Sequence, residues 1–245
     1  MNENSNYAGG REYNTFHNFY TEINHIDNFS STENINLRND LPRNNHSQVE
    51  TFTYYSVDKF NNTVNTNSSA LSTISVNVRG IERNFDNLLL FMKSITHEFD
   101  IIALTECHLH LNETYNADLQ NTHPIPGYDK FYVKSKIRYG GVVLYVRTNL
   151  KATYCLELTG SHHNHDCVYV KINPEQLHDK KYVKNRRPLK IGAYYRHCRK
   201  TGIMPFIGDF AAEITNKVLK KSDVIIAGDF NICLMKSATN TDSSE

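Results

Sequence analysis

Three short apolar runs, each ending on an amide or a carboxylate, constrain this chain more than any other feature. In Asp223-Val-Ile-Ile-Ala-Gly-Asp-Phe-Asn231, residues 224–227 read as a fully buried strand. Gly228 then permits a sharp turn, so that Asp229 and Asn231 project from the strand's C-terminal edge. The same design occurs twice upstream. Residues 71–76 (Leu-Ser-Thr-Ile-Ser-Val) end in Asn77, and Asp100-Ile-Ile-Ala-Leu-Thr-Glu106 ends in Glu106. The C-terminal edge of a sheet is where open α/β proteins build their sites. An amide, a carboxylate and a carboxylate–amide pair gathered at one rim suit a hard divalent cation and a phosphate.

From residue 71 onward, strand and helix patterns alternate. Phe85, Leu88, Leu89, Met92 and Ile95 share one helical face, with Asn84 placed to cap its start. Further strands are expected at 129–133, 142–146, 167–172 and 189–195, with Gly140-Gly141 in the turn before the second of these. A second helix is marked by Ile207, Phe210, Ala211, Ile214 and Val218. Helices near both ends, with short strands between them, predict a two-sheet α/β sandwich.

Residues 1–70 differ in kind. Asn fills 16 of these 70 positions, and the apolar residues follow neither a strand nor a helix period. Such a segment buries too little surface to offset its ordering entropy, which predicts a disordered tail. It carries 4 basic and 8 acidic residues, leaving 23 and 18 of the chain's 27 and 26 for residues 71–245. A near-neutral total thus hides a mildly basic domain, compatible with a polyanionic partner. Mean hydropathy is −0.54, and no stretch approaches the roughly 20 apolar residues of a membrane span. The N-terminus lacks the basic and apolar regions of a secretory signal. Five cysteines without a Cys-x-x-Cys pair read as reduced intracellular thiols, with no secretion expected and nucleus and cytoplasm both open.

The segments Val76-Asn-Val-Arg-Gly80, Phe99-Asp-Ile-Ile-Ala-Leu-Thr-Glu106, Gly140-Gly-Val-Val-Leu-Tyr145, Tyr194-Tyr-Arg196 and Asp223–Asn231 resemble, in order and spacing, the endonuclease/exonuclease/phosphatase superfamily. Within it the chain is most similar to the apurinic-like endonuclease of non-LTR (LINE-type) retrotransposons. The resemblance implies a four-layer α/β/β/α sandwich and a divalent-metal phosphodiesterase that nicks DNA to prime reverse transcription. It also implies a reverse transcriptase domain in the intact gene product. Glu106 would be the principal ligand of Mg²⁺ or Mn²⁺, and Asn77 would orient that carboxylate and the metal's waters. Asp229 would position or deprotonate the attacking water, and Asn231 would donate to the phosphate oxygens. Tyr195 would contact the scissile phosphate, with Arg196 as a further phosphate contact.

One family feature has no counterpart here. The family's late Asp-His pair has no match after Asn231, and the nearest composition, His165-Asp166, is reversed and precedes another strand. A C-terminally truncated domain with final strands missing is the expectation, and two other readings stay open. One is an inactive remnant or weak nucleic-acid-binding fragment, and the other a phosphoesterase for inositol phosphates or other small phosphoesters. His162-His-Asn-His165 with Cys167 nearby lacks the spacing of structural zinc motifs and reads as a surface loop, with zinc as the alternative. Cys107-His-Leu-His110 reads as a solvated loop, with His108 or His110 reaching substrate as the alternative. The basic run at 180–190 reads as a loop that keeps an edge strand soluble, or as a nucleic-acid contact or nuclear address.

Overall fold

Every apolar run identified above forms a strand. The structure, a computed structural model, describes residues 56–63, 71–111, 119–177, 187–197, 203–215 and 222–232. In chain order the strands are β1 (Thr73–Asn77), β2 (Ile101–Thr105), β3 (Tyr128–Val133), β4 (Val142–Arg147), β5 (Thr153–Tyr154), β6 (Gly160–Ser161), β7 (His165–Ile172), β8 (Leu189–Arg196) and β9 (Asp223–Asp229). The helices are α1 (Val57–Thr63), α2 (Ile81–Ser94) and α3 (Ile203–Glu213). Among the described strands, only the two-residue β5 and β6 lack a forecast, being too short to show a period of two.

The strands make two mixed sheets, one ordered β1-β2-β4-β3 and the other β5-β7-β8-β9, with β6 on β7. Period-two alternation builds the layers. Ile101 and Ala103 of β2 join Val168, Val170, Ile191, Ala193 and Tyr195 in one buried cluster between the sheets. On the second sheet's other face, Cys167, Tyr169 and Tyr194 pack with Phe206, Phe210 and Ile214 of the α3 region. With α2 and α3 outside the sheets, the architecture is an α/β/β/α sandwich.

Three local expectations change. Asn84 lies inside α2, which starts at Ile81. Its side-chain amide reaches back to the Val78 and Arg79 carbonyls, and Gly80 (φ 101°) leads into the helix. The face of α2 running Ile81, Asn84 and Leu88 is the buried one, one step round from the expected stripe. Residues 224–227 are half-buried rather than fully buried, because among the described residues β9 pairs with β8 alone.

Two compact units are distinguished. The larger covers residues 67–90 and 98–233 and contains both sheets. Within the smaller, Ser56 starts α1 by accepting from the Lys59 amide at 3.2 Å, so a helix forms inside the segment expected to lack structure. Asn61 donates to the Ser94 carbonyl and accepts from the Thr96 amide at 2.8 and 2.9 Å. The expectation for residues 1–55 and 64–70, like that for Val218 and the basic run at 180–186, falls outside the described residues. No helix among the described residues is long and apolar enough to cross a membrane.

Candidate active site

Parallel pairing decides where the polar strand ends meet. β1 pairs parallel with β2 so that Asn77 aligns with Thr105, one residue before Glu106. In the other sheet β8 and β9 are parallel, and Tyr195 aligns with Asp229. Both sheets therefore end their polar-tipped strands on one rim. The side chains join there: the Asn77 amide donates to Asp229 Oδ2 at 3.0 Å, and the Tyr195 hydroxyl donates to Glu106 Oε1 at 3.0 Å. Asn77, Glu106, Asp229 and Asn231 are all half-buried, so the rim is open to a ligand.

Glu106 has φ 50°, a left-handed conformation that costs a non-glycine residue about 1–3 kcal/mol. Neighbouring hydrogen bonds over-determine it. Its carbonyl accepts from the Gly80 amide at 2.7 Å, while Val78 and Ile81 donate to the carbonyls of Thr105 and Cys107. From the other side, the Cys107 and Leu109 amides donate to the Gly141 and Gly140 carbonyls. Asn231 (φ 49°) is set by an Asx turn, its amide donating to Asp229 Oδ1 at 2.8 Å. Gly228 sits within β9 rather than at a turn. Its φ of 152° lets the backbone lie against Tyr194, whose carbonyl oxygen is 1.8 Å from where a Cβ would be.

The donor set fits a hard divalent cation. Tyr195 occupies one carboxylate oxygen of Glu106, and Oε2 takes no hydrogen bond from any described residue. Asp229 faces the same rim, and each of its oxygens already holds one hydrogen bond that fixes its orientation. Asn77 orients Asp229, not Glu106; the partner of Glu106 is Tyr195. Strand alternation sends Arg196 to the face opposite Tyr195. It is 5% exposed, donates to the Asn231 carbonyl at 3.1 Å and lies over the Phe206 ring. Asn231 Nδ2 in turn donates to the Arg196 carbonyl at 2.6 Å, so the two residues lock each other.

A buried pair behind the rim escaped the sequence reading. Asp166 Oδ2 lies 2.9 Å from His197 Nε2, and both side chains are wholly buried. Asp166 Oδ2 also accepts from the Gly141 amide at 2.9 Å. Burial pushes the Asp166 carboxyl upward, but His197 and the Gly141 amide outweigh it and hold the pKa below its ordinary value. Gly140 is obligatory here, since a Cβ would lie 2.2 Å from Ser135 Oγ and 2.4 Å from Asp166 Oδ2. The pair thus anchors the glycine turn that braces Glu106. Its burial keeps His197 out of substrate reach. Only the pairing of β7 with β8 (Asp166 opposite Tyr195) brings these residues together, and no local motif announces it.

The remaining histidines divide. The His108 ring lies against Gly80 and edge-on to Tyr139, and His110 bridges to Ser135, so the 107–110 segment is packed rather than fully solvated. His165 is buried in β7, not in a surface loop.

A humanized TDP2 from D. rerio is 18% identical over 70% of this chain and 66% of that one, at a TM-score of 0.45. The AP endonuclease LMAP from Leishmania major is 18% identical over 66% and 55%, at 0.42. The 3'-5' exonuclease NExo from Neisseria meningitidis is 13% identical over 66% and 58%, at 0.40. The chain spans 55–66% of the length of these three structures. No curated protein sequence matches the chain. The description of the Endonuclease/Exonuclease/phosphatase family matches residues 74–243, well over half the sequence and all of the rim. The chain belongs to that family, whose members are hydrolases of phosphoester bonds and generally depend on divalent metals.

Proposed function

We propose that the chain is a metal-dependent phosphodiesterase acting on DNA, of the kind that nicks a target to prime reverse transcription in LINE-type elements. The observation that carries this reading is the convergence of Glu106 with Tyr195 and of Asp229 with Asn77 across the two sheets. Glu106 Oε2 would hold Mg²⁺ or Mn²⁺, with Asp229 nearby. The bound cation would supply charge neutralisation at the phosphate and at the leaving oxygen.

The chain's own residues would do the rest. Asp229, held by the Asn77 amide and the Asn231 backbone, accepts the proton of the attacking water. Tyr195 fixes the Glu106 carboxylate and stands beside the phosphate. The Asn231 amide donates to a phosphate oxygen if it leaves the Arg196 carbonyl, and Arg196 acts chiefly by holding the Asn231 turn. The surplus of basic residues beyond residue 70 supports a polyanionic substrate. A reverse transcriptase in the same gene product and an intracellular location accompany this reading.

Supercoiled plasmid and an inositol phosphate, offered to the same purified chain in Mg²⁺, separate the DNA reading from the small-phosphoester one. Nicked circles without released inorganic phosphate support a DNA phosphodiesterase. Phosphate release with intact plasmid transfers the site to small phosphoesters.

A further inference from the structure

On the α3-facing side of the second sheet, the face opposite Tyr195, three ligand-bearing side chains meet. The β6–β7 hairpin folds His162 back over Gly160, with the His162 Nε2 atom 3.2 Å from where a Gly160 Cβ would be. Gly160 pairs in register with Cys167, and His165 lies two residues before Cys167 on the same face of β7. The ligand atoms of His162, His165 and Cys167 consequently lie within 4.8 Å of one another. The missing side chain at Gly160 is what gives the His162 ring this room.

A second observation points to a ligand. His165 Nδ1 lies 2.6 Å from Asn164 Oδ1, which only accepts, so the proton sits on Nδ1 and Nε2 carries the lone pair. His165 is 5% exposed, and its Nε2 has no hydrogen-bond partner among the described residues. Facing it at 3.6 Å is a carboxylate oxygen, Glu213 Oε2, which the Tyr194 hydroxyl holds at 3.0 Å. A buried ring nitrogen without a hydrogen-bond partner is costly. A cation beside it supplies that partner. Two ligands of a tetrahedral zinc ion, each at about 2.0–2.2 Å, stand roughly 3.4 Å apart, close to this separation.

We propose that His162, His165 and Cys167 form a zinc-binding site, with Glu213 completing the shell directly or through a bound water. Mixed imidazole and thiolate donors select Zn²⁺ over Mg²⁺, which the oxygen-rich rim suits better. On binding, the Cys167 thiol gives up its proton to solvent and its hydrogen bond to the Leu158 carbonyl, and the sulfur bonds the metal. The exposed His162 leaves the ion an entry path. The centre would pin the β6–β7 hairpin to the β7 face and, through Glu213, to α3.

Cobalt titration of the tag-free full chain tests this, with Glu106→Gln present so that the rim carboxylate does not report. One equivalent of Co²⁺ should give a thiolate-to-cobalt charge-transfer band with the intense visible bands of a tetrahedral ion, and Zn²⁺ should abolish both. His162→Ala removes an exposed side chain, so folding is retained. It should weaken binding by more than ~100-fold, beyond the cost of losing an outer-shell partner, while His163→Ala changes nothing. Saturating Co²⁺ without a thiolate band, or an unchanged dissociation constant in His162→Ala, would overturn the proposal.

Discussion

The Tyr195 hydroxyl donates to Glu106 Oε1 at 3.0 Å, joining the C-terminal end of β8 to the residue that follows β2. One carboxylate oxygen is thereby fixed and the other is presented to the rim. Tyr195→Phe keeps the ring in the inter-sheet core and removes the hydroxyl that makes this bond. A hydrogen bond to a charged acceptor is worth about 1.5–3 kcal/mol, so kcat/KM for plasmid nicking should fall roughly 10- to 100-fold. The melting temperature should change little. Unaltered kinetics in a folded Tyr195→Phe chain would show that Glu106 needs no such anchor.

Gly228 tests the β8–β9 junction. A Cβ there would lie 1.8 Å from the Tyr194 carbonyl oxygen, so Gly228→Ala must displace one strand from the other. The expected loss is about 3 kcal/mol or more, seen as a lower thermal midpoint together with lost activity. Gly208, exposed within α3 and with nothing within 4 Å of its would-be Cβ, supplies the contrast. Gly208→Ala should stabilise by up to ~1 kcal/mol through helix propensity. Equal midpoints for the two variants would contradict this picture of β9.

Much of this fold was legible because its signals are local. Residues 101–104 are apolar without interruption, and β2 is buried along its whole length. Asn77, Glu106, Tyr195 and Asp229 were legible as residues of one rim because each lies at or just beyond the C-terminal end of a recognisable strand. Their partners were not. Strand order alone cannot tell that Asn77 would meet Asp229 rather than Glu106, since that depends on how the two sheets stack. Gly228 looked like a turn residue, because a need for close backbone approach leaves the same mark in a sequence. Asp166 and His197 are 31 positions apart, and only strand pairing makes them neighbours. Helix α1 was masked by Asn-rich composition, although Ser56 supplied a start signal.

Asp166 carries a pH prediction. Its folded-state pKa is depressed by His197 and the Gly141 amide, so its contribution to stability is present above the ordinary value of 3.8. That contribution is lost as the pH falls through 3.8 toward the depressed folded value. Breaking a buried pair costs about 3–5 kcal/mol, so Asp166→Asn should melt well below the parent at pH 7. The gap should narrow as both are taken below pH 3.8. A gap that stays constant down to acid pH would mean that the pair contributes no charge-dependent stability.

On the proposed reading, Glu106 and a divalent cation together cut a phosphodiester at this rim. The most direct measurement is nicking of supercoiled plasmid by the full chain in Mg²⁺, beside EDTA and Glu106→Ala. Open circles that require both the metal and Glu106 are expected, with at least ~100-fold less product from the variant. Intact plasmid from a folded, metal-supplied chain, or nicking that persists in Glu106→Ala, would contradict it.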